Sequence, residues 1–328
     1  MKIAIDAFGG DNAPAQIVLG AVLAANKYNV NIVLCGDQAQ IQKELDRYPA
    51  DNRVSIFHCA EIIENTDEPI RAIRKKQDAS MVRAMELVAK GEADGIISAG
   101  NTGALIAGSV FILKRLPGVS RPAFAPFIPT DRGISVLLDV GANTSCDSEN
   151  LYQFGVMGSL YIEKVYDKKN PKVGLLNIGV EEHKGNALMK ESFGVLKQSD
   201  LNFVGNVEAR DLLQGECDVV VTDGFTGNIA LKLIEGVSGM MMKNIKNILF
   251  KNGLTKLAAL ILKGGLNDFR KKLDYKEHGG APLLGVNGVV IKAHGSSDAQ
   301  ALCAAVGQAV RFVNNDVLGQ IKTSLEKE

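Results

Sequence analysis

The chain has 328 residues, and its 37 Lys plus Arg are balanced by 37 Asp plus Glu, so the formal net charge is zero. Zero net charge, 5% aromatic residues and no Trp argue against a nucleic-acid binder, which needs a basic excess for phosphates and rings for base stacking. The length allows one large or two ordinary domains with a well-buried core.

In chain order, a strand at 2–6 leads to a helical pattern at 14–28, and strands at 31–36 and 54–58 precede a helix at 79–90. Strand 95–98 feeds helix 103–115, strand 134–139 feeds helix 150–165, and strands follow at 172–177, 203–205 and 219–222. After a long helical region come strand 289–292 and helix 298–314. Several strands are apolar throughout instead of alternating, as in sheets covered on both faces. Strand–helix alternation of this kind predicts an α/β fold with a doubly wound, mostly parallel sheet. No Ser/Pro-rich linker interrupts the chain, which is therefore expected to form a single domain over 1–328. The stretch 229–273 contains no strand signal and fits a helical hairpin turning near Asn252 and Gly253. Such a hairpin, apolar on more than one side, needs something to bury it.

Cys35, Cys59, Cys146, Cys217 and Cys303 are odd in number, widely spaced and lack a C-x-x-C pair. This is a reduced, cytoplasmic pattern, neither a disulfide scaffold nor a zinc site. The opening "MKIAIDAFGGDNAP" reaches Asp6 too soon for the apolar region of a signal peptide. No apolar run approaches the ~18 residues of a membrane span, so the expectation is a soluble protein.

Predicted strands end in glycine turns: "DAFGGDNAP", "SAGNTGA", "DVGANTSC", "NIGVEEHKGN", "TDGFTGN" and "AHGSSDAQ". Any one of them is explained by turn and N-cap chemistry alone. As a set they point to a polar, anion-friendly cleft at the carboxyl ends of the strands, where open parallel sheets bind ligands. The usual nucleotide signatures are absent: no G-x-x-x-x-G-K-[ST], no G-x-G-x-x-G after the first strand and no G-x-S-x-G.

Within these turns, Lys184 is suited to stabilising a phosphate or a developing oxyanion as a point charge, or else is a solvated loop lysine. Asn228 either caps the helix it opens or donates its amide to substrate. His183, His278 and His294 share glycine-rich loops, but no spacing supports a metal site. Arg71, Arg74, Lys75, Lys76 and Arg83 form either a solvated helix face or a dock for an acidic carrier protein. In "LTKLAALILKGGL", Leu254, Leu257, Ala258, Ile261 and Leu262 recur at helical spacing, flanked by Lys251, Lys256, Lys263, Arg270, Lys271 and Lys272. The segment is too short to span a bilayer but suited to lying on one; a core or dimer helix is the equal alternative.

Taken in order, "DAFGGDNAP", "SAGNTGAL", "RPAFAPFIPT", "LLDVGANTSC", "GLLNIGVEEHKGN", "VVVTDGFTGNIALK" and "HGGAPLLGVNGVVIKAHGSS" resemble the phosphate acyltransferase family of bacterial phospholipid synthesis, essentially end to end. That resemblance implies an α/β core similar to phosphotransacetylases and the isopropylmalate dehydrogenase group, without nicotinamide chemistry, metal or cofactor. It implies transfer of a fatty acyl group from acyl-[acyl carrier protein] to inorganic phosphate, giving acyl-phosphate for a downstream glycerol-phosphate acyltransferase. It also implies a homodimer built on the 229–273 hairpin, whose tip touches the membrane. Lys184 and Asn228 become the catalytic candidates. Gly100, Asn101, Thr102, Gly103, Asn143, Asn177, His183, Asn186, Thr226, Gly227 and His294 become candidates for phosphate and thioester contacts. Rival readings are a phosphotransacetylase using acyl-CoA, a membrane-associated scaffold that only binds acyl carrier, and an oxidoreductase.

Overall fold

The computed structural model describes residues 1–266, 269 and 279–326. Two sheets organise it. The first has seven strands in the order β3-β2-β1-β4-β12-β11-β5, and the second five, in the order β6-β7-β10-β8-β9. In the first sheet β1 (Lys2–Asp6), β2 (Asn31–Gly36), β3 (Val54–His58), β4 (Gly95–Ser98) and β12 (Val289–Lys292) run parallel, while β11 (Ala281–Leu284) runs antiparallel to both its neighbours, β12 and the edge strand β5 (Ala123–Phe124). In the second, β7 (Gly133–Leu138), β10 (Val219–Val221), β8 (Val173–Asn177) and β9 (Phe203–Glu208) run parallel, with β6 (Phe127–Thr130) antiparallel at the edge.

The central strands are buried along nearly their whole length, which is why they read as apolar runs. The strand pattern therefore belongs to two mostly parallel sheets, where the sequence suggested one. A shared core joins them: Ile3, Ile5 and Ile97 of the first sheet cluster with Val136, Leu138 and Val219 of the second. Helix α1 (Ala15–Tyr28) packs against Ala299–Asn314, which we number α10, through buried small residues such as Ala21, Ala24, Ala305 and Ala309. A Cβ on Gly20 of α1 would lie 2.7 Å from Leu302, so these helices approach closely.

Helix starts coincide with acidic and amide residues of the turns. Asp37 caps α2 (Gln38–Leu45), Glu68 caps α3 (Pro69–Lys75) and Asn101 caps α5 (Thr102–Gly108). Asp147 and Asn150 form a reciprocal capping box on α6 (Ser148–Tyr166), and Asn186 caps α7 (Ala187–Gln198). Each cap satisfies an N–H that the helix cannot bond itself. Between them, α4 (Ser80–Ala89) buries Met81, Val82 and Met85 against the first sheet. The predicted helix 103–115 is shorter than expected: α5 ends at Gly108 and a π-helical turn, Ser109–Leu113, completes it.

The helical stretch begins as α8 (Gly224–Leu249) and continues as α9 (Gly253–Ile261). The turn lies where expected, with Asn252 capping α9. Only Gly224 and Gly227 of α8 are buried, and no residue of α9 is. Leu254 is 82% and Ile261 80% exposed, so the hairpin leaves the body with an uncovered apolar face. No helix among the described residues is long and apolar enough to cross a membrane. Arg270, Lys271, Lys272, Leu273 and His278 lie outside the described residues. The chain ends in α11 (Val317–Leu325), which docks on α6 and α10 through Val317, Ile321 and Leu325.

Candidate functional site

The glycine turns pack against one another before they meet any ligand. A Cβ on Gly9, in the turn after β1, would sit 2.6 Å from Asp6 Oδ2 and 2.7 Å from the backbone nitrogen of Gly100, in the turn after β4. Asp6 ties the two together: its carboxylate accepts from Ser80 Oγ (2.6 Å) and Ser98 Oγ (2.7 Å), and Ser98 Oγ in turn accepts from Gly100 N (3.0 Å). Burial pushes the Asp6 carboxyl up from its usual range, against these hydrogen bonds and the nearby Lys292 charge.

Asp139 plays the same part in the second sheet. Its carboxylate accepts from Phe124 N (3.0 Å), Ala142 N (3.2 Å), Asn143 N (2.7 Å) and Asn143 Nδ2 (3.0 Å). Burial raises its pKa and these donors oppose the rise. A Cβ on Gly227 of α8 would lie 1.9 Å from the Asp139 carbonyl oxygen, so only glycine lets α8 start this close to the β7 turn.

Between these two turn clusters lies a cleft of about 900 Å³, its open mouth included. One wall comes from the ends of β4 and β12, with Thr102, Lys292, His294 and Ser297; the other from the start of α8, with Asn228, Leu231, Lys232 and Glu235. Phe124, Pro126, Phe127 and Val140 make an apolar stretch between them. Of the predicted site residues, Asn228, Thr102 and His294 line this cleft. Asn228 is not a cap: Asp223 caps α8 by accepting from Thr226 N, which leaves the Asn228 amide in the wall.

Several others serve the scaffold. Asn101 caps α5 and donates to the carbonyls of Glu64, Asn65 and Asp67. Asn143 donates to Pro122 O and Asp139, Asn177 to Lys184 O and Asn206, and Asn186 accepts from Met189 N. Thr226 Oγ1 donates to Asp223. Gly100 and Gly103 hold the turn into α5, where a Cβ on Gly103 would meet Pro69 at 2.6 Å. His183 is exposed in the loop after β8. Lys184 lies in that loop too, its side chain 41% exposed and 3.9 Å from Glu181, and it is not among the residues lining the cleft. In the basic stretch, Lys76 pairs with Asp67 and Arg83 with Glu86, while Arg71, Arg74 and Lys75 are exposed.

Sequence reasoning missed Lys292. It is the last residue of β12, and its Nζ donates to the carbonyls of Ala99 and Ala293. Burial is the main force pushing its pKa down to about 8; Asp6 and Asp11 oppose the fall and Lys232 adds to it. The available signal was its position: a lysine closing the apolar run "VVI" of a parallel strand is a buried-charge candidate. Cys146, near the Asp139 turn, is pushed up to about 11, chiefly by burial; it is a thiol at neutral pH and a poor nucleophile.

Residues 1–320 match the family model described as "Fatty acid synthesis protein". The phosphate acyltransferase of Alkaliphilus oremlandii is 53% identical over 322 residues, covering 98% of this chain and 96% of that protein. That of Geobacillus sp. (strain WCH70) is 52% identical over 329 residues, covering 100% and 99%. Among solved structures, a phosphotransacetylase from Streptococcus pyogenes superposes with a TM-score of 0.66 at 18% identity, covering 96% of this chain and 94% of that one. The EutD phosphotransacetylase of Staphylococcus aureus gives 0.64 at 17% identity, covering 95% and 94%. At such identities these two likenesses speak for the fold, the α/β class expected from the strand–helix alternation.

Proposed function

Because the chain belongs to the phosphate acyltransferase family of fatty acid synthesis proteins, we propose that it transfers a fatty acyl group from acyl-[acyl carrier protein] to inorganic phosphate, giving acyl-phosphate for phospholipid synthesis. The observation that supports this best is the cleft itself. An apolar stretch built on Phe124, Pro126 and Phe127 adjoins a polar end with Asn228, Lys232, Lys292 and His294, suited to an acyl thioester beside an anion.

In this reading a phosphate oxygen attacks the thioester carbonyl carbon. The C–O bond forms, the C–S bond breaks, and the carrier's phosphopantetheine thiolate leaves. The protein's work is orientation and charge stabilisation, so neither a protein nucleophile, a metal nor a cofactor is required. Lys184 neutralises the phosphate or the tetrahedral oxyanion, while Asn228 and the loop amides hold geometry. The exposed bases Arg71, Arg74 and Lys75 suit an acidic carrier.

We further propose a single working α/β unit in which the 229–273 hairpin mediates homodimerisation and its tip, around Leu254 to Leu262, rests on the membrane surface. The protein would then act as a cytoplasmic, peripherally bound enzyme, passing acyl-phosphate to a glycerol-phosphate acyltransferase. The exposed apolar side chains of α8 and α9 support this part.

The test is formation of acyl-phosphate, trapped with hydroxylamine as the hydroxamate, from acyl-carrier protein plus phosphate, with acyl-CoA offered in parallel. A preference for acyl-CoA would move the assignment to a phosphotransacetylase-like activity. Absence of product from either donor would leave only a binding role.

A further inference from the structure

We propose that the phosphate co-substrate sits at the end of the cleft between Lys292 and Lys232, held by the ammonium of Lys292 from the β12 side and by Lys232 from α8. This inference rests on the acyl-to-phosphate reading and narrows it: Lys184, outside the cleft lining, is then left to the oxyanion or the carrier rather than to phosphate.

Three features of Lys292 carry the assignment. Its side chain lines the cleft at the carboxyl end of a parallel strand, where such folds place their ligands. Two of its three N–H donors are taken by main-chain carbonyls, Ala99 O and Ala293 O, which fix the ammonium in place and leave a donor for the cleft. Among the described residues it makes no ion pair: neither Asp6 nor Asp11 comes within salt-bridge distance. A partly buried ammonium with no carboxylate in contact, its two favourable charges Asp6 and Asp11 lying beyond salt-bridge distance, is stabilised by an anion entering the cleft beside it.

Lys232 supplies the second cation. It lines the same cleft from α8 and is close enough to Lys292 to disfavour its charged form. Glu235, at 2.7 Å on the same helix and also in the lining, pairs with it and offsets part of its charge. Two cations held near each other repel until an anion lies between them, and a phosphate oxyanion, with several acceptor oxygens, bonds both at once. Asn228 and His294 lie beside them in the lining. At neutral pH Lys292, with its pKa pushed down to about 8, is still mainly an ammonium.

The experiment measures two quantities in wild type, Lys292→Met, Lys292→Arg, Lys232→Met and Lys184→Ala. They are binding of inorganic phosphate alone by calorimetry in a phosphate-free buffer, and steady-state KM for phosphate and for acyl-carrier protein. Lys292→Met is expected to raise the phosphate KM and weaken phosphate binding roughly 10- to 100-fold, with the acyl-carrier KM within about twofold. Lys292→Arg should recover part of the loss, and Lys232→Met should lose less than Lys292→Met. Lys184→Ala should bind phosphate as wild type does. Unchanged phosphate binding in folded Lys292→Met overturns the subsite, whatever the turnover. Should Lys292→Met fail to fold, unchanged phosphate binding in Lys232→Met does the same, because that residue lies on an exposed helix surface. Phosphate binding that depends on Lys292 in a protein making no acyl-phosphate would keep the subsite and sink the functional reading instead.

Discussion

Replacing Lys292 by Met should stabilise the fold at neutral pH while disabling phosphate binding, and the size of the effect follows from where the ammonium sits. Burial takes its pKa from 10.5 to about 8. Each tenfold change in proton affinity is worth about 1.4 kcal/mol, so the folded chain disfavours the ammonium by about 3 kcal/mol. The folded pKa is the lower one, so between about pH 8 and pH 10.5 the unfolded chain binds more protons and wild-type stability rises with pH. The cost is full below pH 8 and gone above pH 10.5. Met has a similar length and no charge, so the variant lacks this dependence. It does lose the two bonds to Ala99 O and Ala293 O, a pH-independent cost of about 1 kcal/mol each. The stability of the variant relative to wild type should therefore fall by about 3 kcal/mol from pH 7 to pH 10.5. Denaturant unfolding followed by circular dichroism at both pH values measures it. Two curves that stay parallel across that range would show that Lys292 is not desolvated, and the argument for its role would fall with it.

Three other outcomes can be checked independently. Lys184→Ala should lower turnover by roughly 100-fold in a protein that unfolds like wild type; near-normal turnover would remove Lys184 from the mechanism. Leu257→Glu combined with Ile261→Glu should release the protein from anionic vesicles in a flotation assay with activity in solution intact, because both side chains are exposed on α9. Loss of dimerisation in place of release would identify α9 as a subunit contact. Gly227→Ala should destabilise by roughly 3 kcal/mol or more, since its Cβ would lie 1.9 Å from the Asp139 carbonyl. In contrast, Gly194→Ala in α7, where a Cβ meets nothing within 4 Å, should stabilise by up to about 1 kcal/mol; equal melting temperatures for the two variants would contradict this packing argument.

The parallel strands were legible because burial on both faces writes a continuous apolar run, as in "IVLC" and "VGLL". The antiparallel pieces were not: β5, β6 and β11 are two to four residues long, and Pro126, Pro129 and Pro282 lie in or beside them, a signal that argues against strands. Nor did the sequence separate one sheet from two, since that depends on which strand ends pair. The hairpin turn was visible in Asn252–Gly253, and the structure adds that Asn252 bonds Thr255 N. The glycine turns mark the end of the sheets at which the cleft lies. Their amides read equally well as ligand contacts or caps, and Asn101, Asn143, Asn177 and Asn186 went to the scaffold. Lys292 carried only the weak signal of closing the apolar run "VVI", because a strand-end lysine ordinarily reaches water; it is partly buried here because β12 lies between β4 and β11.

Helix α8 belongs to two surfaces at once. Asn228, Leu231, Lys232 and Glu235 face the cleft, while Ile229, Leu233, Val237 and Met240 of the same turns are exposed. Its 26 residues make a rod about 39 Å long, anchored near one end, where Gly224 and Gly227 are buried and Ala230, Leu231 and Ile234 pack on the core. A change in what covers the outer face would therefore act on the helix that carries one cleft wall, and any such coupling is reciprocal: occupancy of the cleft would bear on how the hairpin is presented.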